Sequence, residues 1–255
     1  FGLENDGAVI SCRKGQDIVV TTDTLIQGSH FLPGEPPGDI ARKALRVNLS
    51  DLASMGAKPF CYTLNLALSQ DQDIDFLDKF SNGLKLDQYA FDLYLLGGDT
   101  TKGPGVLSVS MTLFGATKTG SGWGRSGAKQ GDYCFVTGSI GEGLVGLMIA
   151  KGELECPDPH LNQELLNRHR LPQPRVACCR LADKNLVQAA IDISDGLLAD
   201  IGHICRHSNV RIDLPEDKIP IRKEVRKLAR EKGISLADLA KGGDDYELVL
   251  VVAQD

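Results

Sequence analysis

Several aspartates in this sequence stand where an apolar run ends beside glycine, serine or threonine. Asp23 closes IVVTTD, Asp99 closes LYLLGGD, and Asp192 lies inside AAIDISDG with Asp195 three residues later. Open sheets present their ligands at strand ends, so carboxylates there are placed for chemistry. Asp51 differs, because NLSDLASMGA sets it among Leu49, Leu52 and Met55 in a helical stretch. A carboxylate buried there without a partner would be costly. Cations offset that cost, and hard oxygen ligands select magnesium or calcium over zinc. The chemistry that most needs several magnesium ions is phosphoryl transfer, in which they bridge phosphate oxygens and absorb developing charge. Any one of these aspartates also suits a turn or an N-cap, so the reading rests on their recurrence.

Two halves must position them, each alternating strand-like and helix-like stretches across a glycine-rich loop over residues 119–131. The expected domains are residues 1–122 and 123–255. In the first half, β-branched residues predict a strand over 17–23, and apolar residues at helical spacing predict a helix over 38–55 that Gly56 stops. A strand over 59–68, a helix over 73–90, and strands over 92–96 and 106–116 around a glycine-rich turn follow. In the second half, strands are expected over 133–137, 189–193, 210–214 and 246–253, with a helix starting near Asp195. The class is α/β or α+β, with mixed sheets.

Acidic residues outnumber basic ones by 34 to 28 in the 255-residue chain, a net charge of −6 that repels nucleic acid and anionic membranes. Seven cysteines without a CxxC pair make no disulfide framework, which fits a reducing cytoplasm. No apolar run is long enough for a membrane span, and the N-terminus lacks the features of a signal peptide. Opening at Phe1 and stopping at Asp255 just after a strand-like run, the chain reads as trimmed at one or both ends.

The segments NDGAVI, TTDTLIQGSHF, RKALRVNLSDLASMGAKP, GGDTTKGP, RSGAKQGD, IDISDGLLADIGHI and GGDDYEL span nearly the whole chain. In that order they resemble the thiamine-monophosphate kinases, in a superfamily with aminoimidazole ribonucleotide synthetase, selenophosphate synthetase and HypE. The resemblance implies direct in-line transfer of the ATP γ-phosphoryl group to thiamine monophosphate. It implies that Asp6, Thr21, Thr22, Asp23, Asp51, Asp99 and Asp192 hold magnesium and that Asp195 holds a further ion. Gly98, Asp99, Arg125 and Ser194 would bind ATP, and His30 and Asp244 the thiamine substrate. An arginine suits phosphate oxygens through its planar, permanently charged fork. No general base is assigned, because the acceptor phosphate is already ionised at neutral pH. The resemblance also implies a two-domain fold whose first domain pairs with its counterpart in a homodimer, closing a β-barrel at the interface.

Three features depart from the family pattern. Asp244 stands where a glutamate is usual, shortening the arm toward the substrate. Asn5 precedes Asp6 where two carboxylates are common, and nothing in the chain matches an aromatic residue that the family supplies near the substrate. Alternatives are another ATP-using superfamily member, such as a selenophosphate synthetase, and a non-catalytic nucleotide- or thiamine-binding relative. Gly141, Gly143 and Gly146 form a GxGxxG, but no acidic strand end follows at the spacing a dinucleotide fold needs. His203 and His207 are four apart without an evident third zinc ligand, and no P-loop is present.

Overall fold

The computed structural model describes residues 8–254. The first half builds a five-stranded sheet from β1 (Ala8–Arg13), β2 (Gln16–Ile26), β3 (Lys58–Leu68), β4 (Tyr94–Lys102) and β5 (Ser108–Lys118). Its order is β1-β2-β5-β3-β4, antiparallel except for the parallel pair β3 and β4, so the sheet is mixed. Strand alternation sends Val109, Met111 and Leu113 of β5 inward. They share an apolar core with Ala41, Leu45, Leu49 and Leu52 of helix α1 (Pro37–Ser54). Pro37 suits the first turn of that helix, whose N–H groups lack intrahelical partners anyway. Thirteen of its eighteen residues are buried, so α1 is an interior helix with both halves against it. Helix α2 (Ile74–Phe91) starts on the Asp73 side chain and crosses α1 where Gly83 meets Gly38.

The second half forms an antiparallel sheet of β6 (Tyr133–Val136), β7 (Val187–Asp192) and β8 (Leu248–Val252), in the order β6-β8-β7. Around it lie α3 (Glu142–Ala150), α4 (Pro159–Arg170), α5 (Leu197–Ser208), α6 (Lys223–Glu231) and α7 (Leu236–Lys241). Ile191, Ile193, Ile201 and Val249 centre its core. A smaller apolar cluster of Ala53, Trp123, Ala190, Leu248 and Leu250 joins the end of α1 to the second sheet. Among the described residues, no helix is long and apolar enough to cross a membrane.

Three expectations need correction. The first sheet is not closed into a barrel: β1 and β4 remain its two edges, and α1, rather than an opposite wall of strands, covers its buried face. The glycine-rich segment after Leu96 is no turn, because β4 continues through Gly97, Gly98 and Asp99 to Lys102. Residues 210–214 form no strand; Val210, Ile212 and Leu214 alternate onto the core without pairing to another strand.

Candidate active site

Pairing with β5 fixes β2 so that Thr21 and Asp23 share one face and Thr22 takes the other. The Thr21 hydroxyl donates to Asp51 Oδ2 at 2.6 Å, while that of Thr22 donates to the Met111 carbonyl at 3.0 Å. Asp51 is only half-buried, near the C-terminal end of α1, so its apolar neighbours do not enclose it. The preceding hydroxyl, Ser50, donates to Asp192 Oδ2 at 2.8 Å across the junction between the halves. Asp192 ends β7 and is 2% exposed.

Tyr246 sits at the junction where the two halves meet. Its backbone is left-handed, with φ of 50°, and its N–H donates to the Ile193 carbonyl at 2.8 Å, fixing it beside the Asp192 segment. Burial pushes its phenol well above the usual range, and the charges of Asp244, Asp192, Asp23 and Asp51 push it the same way. Two of those carboxylates come from each half. The Tyr246 hydroxyl donates to Asp244 Oδ1 at 3.3 Å.

Asp244 is tied on its other oxygen. Lys43 Nζ donates to Oδ2 at 3.2 Å, and His169 Nδ1 lies 3.1 Å from the same atom, a close polar contact without hydrogen-bond alignment. Burial alone would raise the Asp244 carboxyl, but contact with His169 and the charge of Lys43 outweigh it and hold the pKa at about 2. His30 is exposed, its Nδ1 accepting the Ile26 N–H at 3.0 Å and its carbonyl accepting Lys43 Nζ at 2.9 Å.

The residues expected to meet ATP are more open. Gly98 and Asp99 are exposed on β4, where a Cβ on Gly98 would come 1.7 Å from the Leu64 carbonyl oxygen. Arg125 is half-buried in the segment joining the halves. The Ser194 and Asp195 N–H groups both donate to Asp200 Oδ2 at 3.1 Å, which shapes the turn into α5 and leaves Asp195 exposed. Asp6 lies outside the described residues.

Asp245 explains the GxGxxG. Its carboxylate accepts the Gly141 and Gly143 N–H groups at 2.8 and 3.0 Å, filling the N-terminus of α3 with the chain's own acid. Burial pushes Asp245 up to about 7, against the lowering effect of those two bonds. Next to it, buried Glu247 is gripped by Arg168, Arg175 and the Thr137 hydroxyl. Residues 244–247 are thus fixed between α3, α4 and β7. His203 and His207 stack on α5 with centroids 6.4 Å apart.

Among the described residues, no three His, Cys, Asp or Glu side chains converge closely enough to hold a metal ion by themselves. Magnesium does not require that. It keeps several waters and is usually bound through one or two carboxylates plus substrate phosphates. Hard oxygens of Asp51, bonded to Thr21, and of Asp192, bonded to the adjacent Ser50, fit it. Reading the residues alone missed Lys43, Ser50, His169 and Tyr246. All but His169 lie inside segments that carried the resemblance, whereas RHRLPQPR around His169 showed no recognisable pattern.

Comparison with known proteins identifies the fold and the family. The AIR synthase related protein N-terminal domain matches residues 4–117, and the C-terminal domain of the same description matches residues 129–255. Fold and site together define an AIR synthase related protein. A thiamine-monophosphate kinase of Escherichia coli (strain K12) is 41% identical over 257 residues, covering 100% of this chain and 77% of the relative. The structure of AaThiL complexed with AMPPCP and TMP matches with a TM-score of 0.91 at 30% identity, covering 98% of this chain and 79% of the other. The thiamine-monophosphate kinase from Stenotrophomonas maltophilia K279a matches at 0.87 and 38% identity, covering 100% and 80%. The chain belongs to the thiamine-monophosphate kinase family.

Proposed function

We propose that the chain transfers the γ-phosphoryl group of ATP directly and in line to thiamine monophosphate, giving thiamine diphosphate and ADP. The observation that carries this reading is that neighbouring residues of α1 bring carboxylates of both halves to one helix end, Asp51 bonded to Thr21 and Ser50 bonded to Asp192, within a family whose AaThiL structure is described with AMPPCP and TMP. Asp23, Asp51, Asp99 and Asp192 would hold magnesium, with Thr21, Thr22 and Asp6 completing the set and Asp195 taking a further ion. When bound, magnesium supplies charge neutralisation and alignment of phosphate oxygens. Arg125, Gly98 and Ser194 bind and orient the nucleotide, while His30 and Asp244 hold the thiamine end. The acceptor oxygen needs no base, so these residues work by positioning and by electrostatics prepared in advance.

Residues 1–122 and 123–255 form the two domains in this proposal, and the enzyme works as a cytoplasmic homodimer. The outward side of β4 supports the dimer: its residues are exposed throughout, Tyr94, Leu95 and Leu96 among them, on an edge strand that proteins seldom leave bare. Light scattering that finds a monomer at high micromolar concentration removes it. The activity is tested by ADP release with ATP and magnesium, offering thiamine monophosphate and unphosphorylated thiamine in parallel. Turnover is expected with the first alone. Equal rates would refute a shared-metal transfer, and turnover with neither would refute the assignment.

A further inference from the structure

Lys43 is 1% exposed in the middle of α1, and the phosphoryl transfer leaves it without a task. Burying an ammonium is costly unless close acceptors replace its hydration. It has two such acceptors: the His30 carbonyl at 2.9 Å and Asp244 Oδ2 at 3.2 Å. One lies on the loop after β2 and the other on the loop before β8, so a single buried cation spans both sides of the proposed thiamine pocket. His169, also 1% exposed, backs Asp244 from α4 and has Glu35 Oε1 3.9 Å from its Nε2. Asp244 has a shorter arm than the usual glutamate, and its Oδ2 is committed to Lys43 and His169.

We propose that Lys43, seconded by His169, is a positioning residue that clamps the His30 and Asp244 loops together and thereby sets affinity for thiamine monophosphate, with no part in nucleotide binding. The clamp rests on the substrate role proposed above for Asp244. Lys43→Met keeps most of the apolar stem, removes the cation, and frees both loops to separate.

The test is a double-mutant cycle on KM for each substrate, using Lys43→Met, Lys43→Arg, Asp244→Asn and the pair Lys43→Met/Asp244→Asn, with thermal unfolding to check folding. Lys43→Met should raise KM for thiamine monophosphate about tenfold while KM for ATP and kcat stay within about twofold, and Lys43→Arg should recover part of the loss. The pair should raise KM for thiamine monophosphate by less than the product of the two single effects, because residues acting through a shared contact are not additive. Additive effects, or equal rises in both KM values, overturn the clamp while leaving the substrate role of Asp244 standing. An Asp244→Asn variant with unchanged KM for thiamine monophosphate removes that role and the clamp together. If Lys43→Met does not fold, His169→Gln replaces it in the cycle, with an expected rise of about threefold under the same criteria.

Discussion

At Asp51, charge and shape can be separated by one substitution. Asp51→Asn keeps an oxygen to accept from Thr21 and nearly the same volume, but removes the negative charge that a cation needs. Turnover should fall about a thousandfold or more, while the melting temperature moves by only a few degrees. Near-normal turnover would dismiss Asp51 as a metal ligand. Asp244 and Asp245 make opposite predictions about pH. The Asp244 carboxyl is held at about 2, below its ordinary 3.8, so its contribution to stability is present above that ordinary value and is lost as pH falls toward 2. Asp245 is raised to about 7, so its contribution is complete below the unfolded value and is lost as pH rises through 7. The melting-temperature difference between the parent and Asp244→Asn should therefore grow from pH 2 to 4, and that between the parent and Asp245→Asn should shrink from pH 4 to 7. Flat differences would contradict both directions. The aspartates proposed to hold magnesium stand out in the sequence because each sits beside small residues in a short motif. Lys43 was not, since a lysine in an amphipathic stretch looks like a solvated flank until the opposite half of the protein covers it.

Helix α1 was legible from its apolar spacing and its glycine stop, yet the spacing could not show that a second half would bury its polar face. Two adjacent glycines in β4 signal a turn in the sequence, whereas Gly98 is there to let the backbone of β3 approach. Glycine has a comparable task where the first two helices cross: a Cβ on Gly83 would come 2.3 Å from the Gly38 carbonyl oxygen. Glycine inside a helix is ordinarily worse than alanine by about 1 kcal/mol, so replacing it should help if nothing intervenes. Gly83→Ala should instead destabilise by about 2 kcal/mol, because α2 must move off α1. Gly202→Ala on α5, where a Cβ would meet only the far end of the Arg206 side chain at 3.3 Å, should be neutral or stabilising. Urea denaturation midpoints of the two variants decide the matter. Equal shifts would show that the crossing adapts without cost.

Across the whole molecule, the barrel expectation failed for a reason no sequence pattern discloses. Whether strand edges close depends on where a helix lies, and α1 takes the face that a barrel wall would need. The same helix carries Ser50 to Asp192, Lys43 to Asp244, and Arg46 to the Pro172 carbonyl at 3.0 Å, so the halves are joined through polar bonds as well as the Trp123 cluster. They should unfold together. Calorimetry is expected to show one transition, and two resolved peaks would show that the junction yields first.

Trp123 is the chain's single tryptophan, 6% exposed, and it lies in the apolar seam between the halves. The protein therefore carries its own optical gauge at the joint that the proposed reaction must keep closed. Emission from this indole reports on the seam alone, without a competing fluorophore of the same kind. A red shift that precedes loss of helical circular dichroism would mark the joint as the weakest part of the structure; coincident changes would mark it as part of one cooperative whole.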